Sequence, residues 1–386
     1  MSSSTVPADR ARPSAEARPP GPGRGRAAAS ARRRLAVETE ALVGGLIAAT
    51  TSAVVAWLFF RGLVWPLWGR WSVGAVAAIS VLVTTLVIGA VAYARSRDLP
   101  GQEWRRRLRP WKTALDVATV AAVHAVIAGI VTVVVFTTLQ RAFEGIIVDA
   151  FTATGATAAS AGLAAYWVAL SASAVTTGRL ASLLVIFMSS SVLASMATAQ
   201  DPAWWEYHFS QLGTSNDVSS SLFNLAVLLG GAFVTTFALY VHRDLTALVR
   251  QGVLVHAWTP RFVSTVFVVM GTLLACVGVF PLDVSMLLHN LSAIGMSLTF
   301  LGLLASAPFT LKGMPSRFFW LCAGGIVLLL GGALLFEPVG YYSLTAFELL
   351  AFATIFGWIS VFIRFVDALA DRGERDVAAA VEDYSV

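Results

Sequence analysis

The stretch Ile147 to Ala172, IVDAFTATGATAASAGLAAYWVALSA, decides the fold. It is long enough to cross a bilayer, which takes about 20 residues. Its hydropathy is held down by small and hydroxylated residues, among them Thr152, Thr154, Gly155, Thr157, Ser160 and Gly162. On either side lie nine plainer apolar stretches, at about 40–60, 72–94, 113–137, 180–199, 222–241, 262–280, 286–309, 318–336 and 343–366. If 147–172 crosses, there are ten spans, and charge shows that it does. With ten spans and the N-terminus inside, the inner side collects 24 of the 27 Lys and Arg, and only Arg61, Arg70 and Arg141 lie outside. Without that crossing the nine cationic residues after it change sides and the split becomes 15 to 12. The positive-inside rule selects ten spans with both termini cytoplasmic.

Composition points the same way. Of 386 residues, 57% are apolar and 13% charged, against roughly a quarter charged in ordinary soluble domains. Mean hydropathy is +0.75. A soluble enzyme is excluded, and the fold class is an all-α, polytopic membrane helical bundle of about ten spans. Trp65, Trp68, Trp71, Trp104, Trp111, Trp204, Trp205 and Trp258 fall at span ends, as interfacial belts require. The organisation expected is a disordered basic tail over 1–36, a four-span bundle over 37–175, a six-span module over 176–368 and a cytoplasmic C-terminal tail over 369–386. The tail carries eight arginines against Asp9 and Glu16, with too little apolar content to offset the entropy of ordering. Arginine outnumbers lysine 25 to 2, a usage expected of a GC-rich bacterium, which suggests the bacterial plasma membrane. Cys276 and Cys322 fall near opposite faces and read as unpaired packing residues.

Polar residues gather on the outer side, where Glu144, Asp149, Asp201, Glu206, Asp217, Asp283, Glu337 and Glu348 all fall. His289 lies in the opening turns of the eighth span, with Ser285 and Ser292 on the same helical face at i−4 and i+3. Glu348 lies just inside the tenth span and Asn224 just inside the sixth. Ionisable groups at such depth face the bundle interior and pair, because lipid exposure is costly. An outward-opening polar pocket is therefore expected. His289 suits either a structural hydrogen bond to a carbonyl or a functional role, and Glu348 is equally open. His124, midway along the third span, reads as an interhelical hydrogen-bond partner.

The loop from Asp201 to Thr214, DPAWWEYHFSQLGT, is too aromatic for a mere linker. It is expected to lie at the headgroup level as a lid over the pocket, with Gly213 permitting a sharp turn toward the sixth span. His208 and Ser210 are two residues apart, a weak signal for a nucleophile and base. No Walker, GxSxG, dinucleotide or HExxH motif is present.

Phe209-Ser210-Gln211-Leu212-Gly213-Thr214, Phe223-Asn224 opening a helix with Gly230 and Gly231, and Phe280-Pro281-Leu282-Asp283 followed by His289 together resemble a bacterial membrane family known as domain of unknown function 998. That family is distantly similar to the FRAG/DRAM/SFK group, which is linked with lipid handling. The resemblance covers the six spans from 180 to 366. It implies a six-helix module with its signature on one membrane face, carried by Ser210, Gly213, Asn224, Asp283 and His289, and it implies no reaction. The first four spans lie outside it, as an added bundle or a surface for a membrane-protein partner.

Three functional classes follow. A non-enzymatic lipid-interacting or membrane-organising protein leads, because the candidate site is aromatic, interfacial and lacks a complete catalytic set. A hydrolase or transferase acting on lipid headgroups would use His208, Asp283, His289 and Glu348. A transporter would use the many spans but lacks charges at mid-membrane. No cofactor or metal is expected; the expected partner is membrane lipid, and nucleic acid is not.

Overall fold

A computed structural model describes residues 22–214 and 216–383. Ten helices make the bundle: α1 Pro22–Phe60, α2 Val73–Arg95, α3 Pro110–Ala142, α4 Ala150–Ser173, α5 Thr177–Thr198, α6 Val218–Arg250, α7 Thr259–Val279, α8 Leu282–Thr310, α9 Ser316–Phe336 and α10 Leu344–Asp383. The only strands among the described residues, β1 Trp65–Pro66 and β2 Ile147–Val148, pair antiparallel. The chain is an all-α polytopic membrane protein: nine of these helices are long and apolar enough to cross a bilayer.

The tenth, α4, has the length to cross as well. Its 24 residues rise about 36 Å, against a hydrocarbon core of about 30 Å. It runs antiparallel to α1 over its whole length. Ala153 near its start packs with Ala56 and Phe60 at the end of α1. At its centre, a Cβ added to Gly162 would stand 2.9 Å from Ala49 Cβ and 3.1 Å from the Gly45 carbonyl oxygen. Near its end the Tyr166 hydroxyl donates to Glu38. The small residues that lower its hydropathy are thus the ones that let two helix backbones approach, the usual basis of packing between membrane helices.

Loop contacts sort the connections onto two faces. On one face, β1 and β2 join the α1–α2 and α3–α4 connections. On the other, Gln102 Nε2 donates to the Val175 carbonyl at 2.9 Å, Arg243 Nη1 to that of Gly101 at 3.3 Å, and Thr259 Oγ1 to that of Thr310 at 2.5 Å. The second face carries the arginine-rich connection between α2 and α3. One of those arginines is structural: Arg105 is buried, lies 3.7 Å over the Tyr93 ring and donates to Ser96 Oγ and the Tyr93 carbonyl.

Close approach is tightest between α6 and α7. A Cβ on Gly231 would stand 2.3 Å from the Gly271 carbonyl oxygen, and one on Gly278 would stand 2.5 Å from that of Asn224. This seam fixes the start of α6, and with it Asn224, against α7. One hydrophobic core runs through most of the bundle, from Tyr93 and Val120 through Phe187, Phe237 and Phe267 to Trp358, so the four-helix and six-helix parts share it. A smaller cluster joins α1 to α4 near β1 and β2.

The N-terminal end differs from expectation: residues 1–21 lie outside the described residues, but 22–36 belong to α1 rather than to a disordered tail. At the other end α10 runs on into the expected C-terminal tail as far as Asp383. Ala27, Ala28 and Ala29 at one end and Ala378, Ala379 and Ala380 at the other are the strongest helix formers. Extending a helix already formed avoids a new nucleation cost. Cys276 and Cys322 are free thiols.

Candidate functional site

The loop between α5 and α6 folds into two 3-10 turns, Trp204–Glu206 and Phe209–Gly213. Phe209, Ser210, Leu212 and Gly213 are buried, and the Phe209 ring meets Phe223 and Phe352 edge-on at centroid separations of 5.2 and 5.9 Å. A helical turn begins with N–H groups that have no partner within it. His208, which stands at the cap of the second turn, supplies no side-chain bond. Glu348 of α10 takes that role: its Oε2 accepts the Phe209 N–H at 2.5 Å, and the carboxylate also bonds the Ser210 N–H. At the other end of the turn Asn224 Nδ2 donates to the Gly213 carbonyl at 2.9 Å. Two side chains from two membrane helices thus clasp one turn of loop.

Gly213 is required for space. Its φ is not positive, so the turn toward α6 does not use glycine's left-handed freedom. A Cβ there would stand 2.5 Å from Asn224 Oδ1 and 3.0 Å from Phe223 Cδ1, in the gap the clasp needs closed.

His289 is buried in α8 and its Nδ1 lies 3.0 Å from the carbonyl oxygen of Phe280, the residue that ends α7. Its ring also bonds the Val277 carbonyl. Carbonyls at a helix C-terminus lack partners within their helix and carry the negative end of its dipole, so the imidazole closes α7. His208 stands near enough to His289 to feel its charge. Burial, and secondarily that neighbour, hold His208 below the ordinary imidazole value.

The structure therefore brings together His208, Ser210, Gly213, Asn224, His289 and Glu348, and leaves out Asp283. Asp283 is exposed and makes no hydrogen bond or ion pair among the described residues. The expected Asp283–His289 partnership is corrected by the path of the chain: Ser285 is non-helical, at φ −160° and ψ 96°, so the first turn of α8 is offset from the helix that carries His289. The same break removes Ser285 from the expected stripe, while His289 and Ser292 remain buried on one face. Ser285 Oγ instead accepts the Leu288 N–H at 3.4 Å, a cap for the helix resuming beyond it.

Chemically the cluster is a latch. Ser210 Oγ and His208 Nδ1 are 3.4 Å apart, at the limit of a hydrogen bond. An activated serine needs a base oriented by a third group, and Glu348, the carboxylate bonded to this turn, is committed to backbone N–H groups. Among the described residues no three His, Cys, Asp or Glu side chains converge as a metal site requires.

Sequence reasoning passed over two features. Near the face that carries the arginine-rich connection, Asp116 of α3 is buried and accepts the Thr236 hydroxyl of α6 at 2.9 Å. Arg105 and Lys112 stand close enough to act on its charge, and the hydroxyls of Tyr93 and Tyr240 pair at 3.0 Å nearby. A carboxylate within the first turn of the 113–137 apolar stretch was the available signal. The second feature is a groove of 490 Å³ between α3 and α4. Ala128, Thr132, Ser160 and Ala164 line it where larger side chains would have closed it, and exposed Leu163 and Trp167 edge it. It exists because α4 packs on α1 and α2 while α3 packs on α2, α5 and α6. At its base His124, the expected interhelical partner, has Nδ1 2.8 Å from the Val120 carbonyl oxygen and Nε2 2.9 Å from Ser171 Oγ, which ties α3 to α4. No signal in a single sequence shows such a gap.

Compared with family models, curated proteins and solved structures, the chain matches none, so its chemistry is read from its own residues.

Proposed function

We propose that this multi-pass membrane protein acts without catalysis, by holding membrane lipid in the lateral groove between α3 and α4. The groove is the observation that carries the proposal. Its 490 Å³ falls within the ~300–1,000 Å³ usual for small-molecule sites. Its walls are apolar apart from a few hydroxyls and an imidazole, and the polar atoms at its base are already bonded to one another. Hydrocarbon is the matching occupant for a cleft bordered by side chains exposed toward the bilayer. The outer latch supports a non-enzymatic role, because its carboxylate and amide serve the backbone.

The charge split assigns the arginine-rich face to the cytoplasm, and arginine-dominated composition favours a bacterial plasma membrane. The resemblance to the domain of unknown function 998 family is carried forward as part of this proposal, since the latch uses Gly213 and Asn224 of its pattern. Native mass spectrometry of the purified protein tests the function: wild type should retain phospholipid through delipidation, and Ala164→Phe, which fills the groove, should lose most of it. Equal retention by a folded Ala164→Phe protein would overturn the proposal.

A further inference from the structure

The groove does not end at mid-membrane. Past Trp167, Ser171 and Leu183 it continues into a second cavity of 360 Å³ that reaches Arg179 in the first turn of α5, on the arginine-rich face. Arg179 is exposed. Its Nη1 donates to the Ala174 carbonyl at 2.9 Å, and it forms no ion pair among the described residues. A guanidinium presents five N–H donors in a fork suited to phosphate, and here Nε and Nη2 have no acceptor among the described residues. The nearby carboxylates have other positions. Asp244 takes the Thr177 hydroxyl and Arg243, and Asp367 lies against Gly178 without an ion pair to Arg179. An apolar channel in the inner half of the membrane thus opens at one end beside a cation with no ion pair among the described residues, at headgroup level.

Resting on the lipid-holding function above, we infer that the occupant is an anionic phospholipid of the cytoplasmic leaflet, its acyl chain along α3 and α4 and its phosphate on Arg179. Charge complementarity at one end and apolar lining along the rest select this ligand over a soluble phosphate, which would leave the groove unfilled, and over an uncharged lipid, which would leave Arg179 unmatched. Basic pockets between membrane helices on the cytoplasmic side are an established way of holding anionic headgroups.

The test uses full-length protein, delipidated and returned to detergent with phosphatidylglycerol or diacylglycerol, which has no phosphate, and read by native mass spectrometry. Wild type should prefer phosphatidylglycerol by about tenfold, the worth of one charge-assisted contact. Arg179→Gln should abolish that preference while still binding lipid, and Arg179→Lys should restore part of it. A phosphatidylglycerol with a photoreactive group on its acyl chain should label Leu163 or Val131 in the unmutated protein, which frees the result from the folding of any variant. An Arg179→Gln protein that keeps its preference while Ala164→Phe loses lipid would overturn the anionic assignment and leave lipid holding intact. Labelling confined to other helices would overturn both.

Discussion

Replacing Glu348 with alanine should open the loop between α5 and α6 about a hundredfold more often. The carboxylate accepts the Phe209 and Ser210 N–H groups, and both residues are buried. A hydrogen bond to a charged group contributes about 1.5–3 kcal/mol. Because Glu348 is only half-buried, the lower figure applies, and two such bonds give about 3 kcal/mol, or two decades in the opening equilibrium. Glutamine keeps one carbonyl acceptor at the same reach and should cost about half, or roughly tenfold. Chymotrypsin reads this directly, since Trp205 and Tyr207 are exposed aromatic targets in the loop and cleavage tracks the open population when reclosing is fast. In nanodiscs, cleavage should accelerate in the order wild type, Glu348→Gln, Glu348→Ala. A Glu348→Ala rate within about twofold of wild type would show that the loop is held by its aromatic contacts alone and that the carboxylate is no latch.

Three further outcomes follow from the same geometry. Gly231→Leu should destabilise the bundle by more than the ~1–3 kcal/mol typical of overpacking, since even its first carbon meets backbone at 2.3 Å; thermal unfolding in detergent measures it, with Gly302→Leu, where an added Cβ meets nothing within 4 Å, as control. His208 sits below its unfolded value, so the folded loop favours the neutral ring; its share of stability is complete above about pH 6.5 and declines as pH falls from there toward the depressed folded value, and loop cleavage should rise over that window and flatten in His208→Gln. A cysteine placed at Asp217 should react with an impermeant reagent in intact cells and one at Arg106 should not; the reverse pattern would invert the assignment of faces.

The all-α membrane-bundle class was legible in the sequence because it depends on quantities that sum along the chain, and the proposed orientation rests on quantities of the same kind. The length of each apolar stretch sets whether it crosses, and the alternation of arginine between loops sets direction, with no knowledge of neighbours required. Even α4, ambiguous by hydropathy, was assigned by the charges beyond it. Depth arguments also reached Glu348, Asn224 and His289, since a polar group inside an apolar stretch must find a partner wherever the fold places it. What that partner is depends on contacts between residues far apart in the chain, and only the tertiary structure decided it. Glu348 meets Phe209 across 139 residues and Asn224 meets Gly213 across 11, turning an expected pocket into a latch. A non-helical Ser285 separates Asp283 from His289, although six residues apart in one apparent helix they look like a pair. The groove lies further still from sequence, because a gap is set by which helices fail to pack: the small residues of α4 that close against α1 at Gly162 leave space beside α3 at Ala164, two positions on, and only the direction each side chain faces distinguishes them.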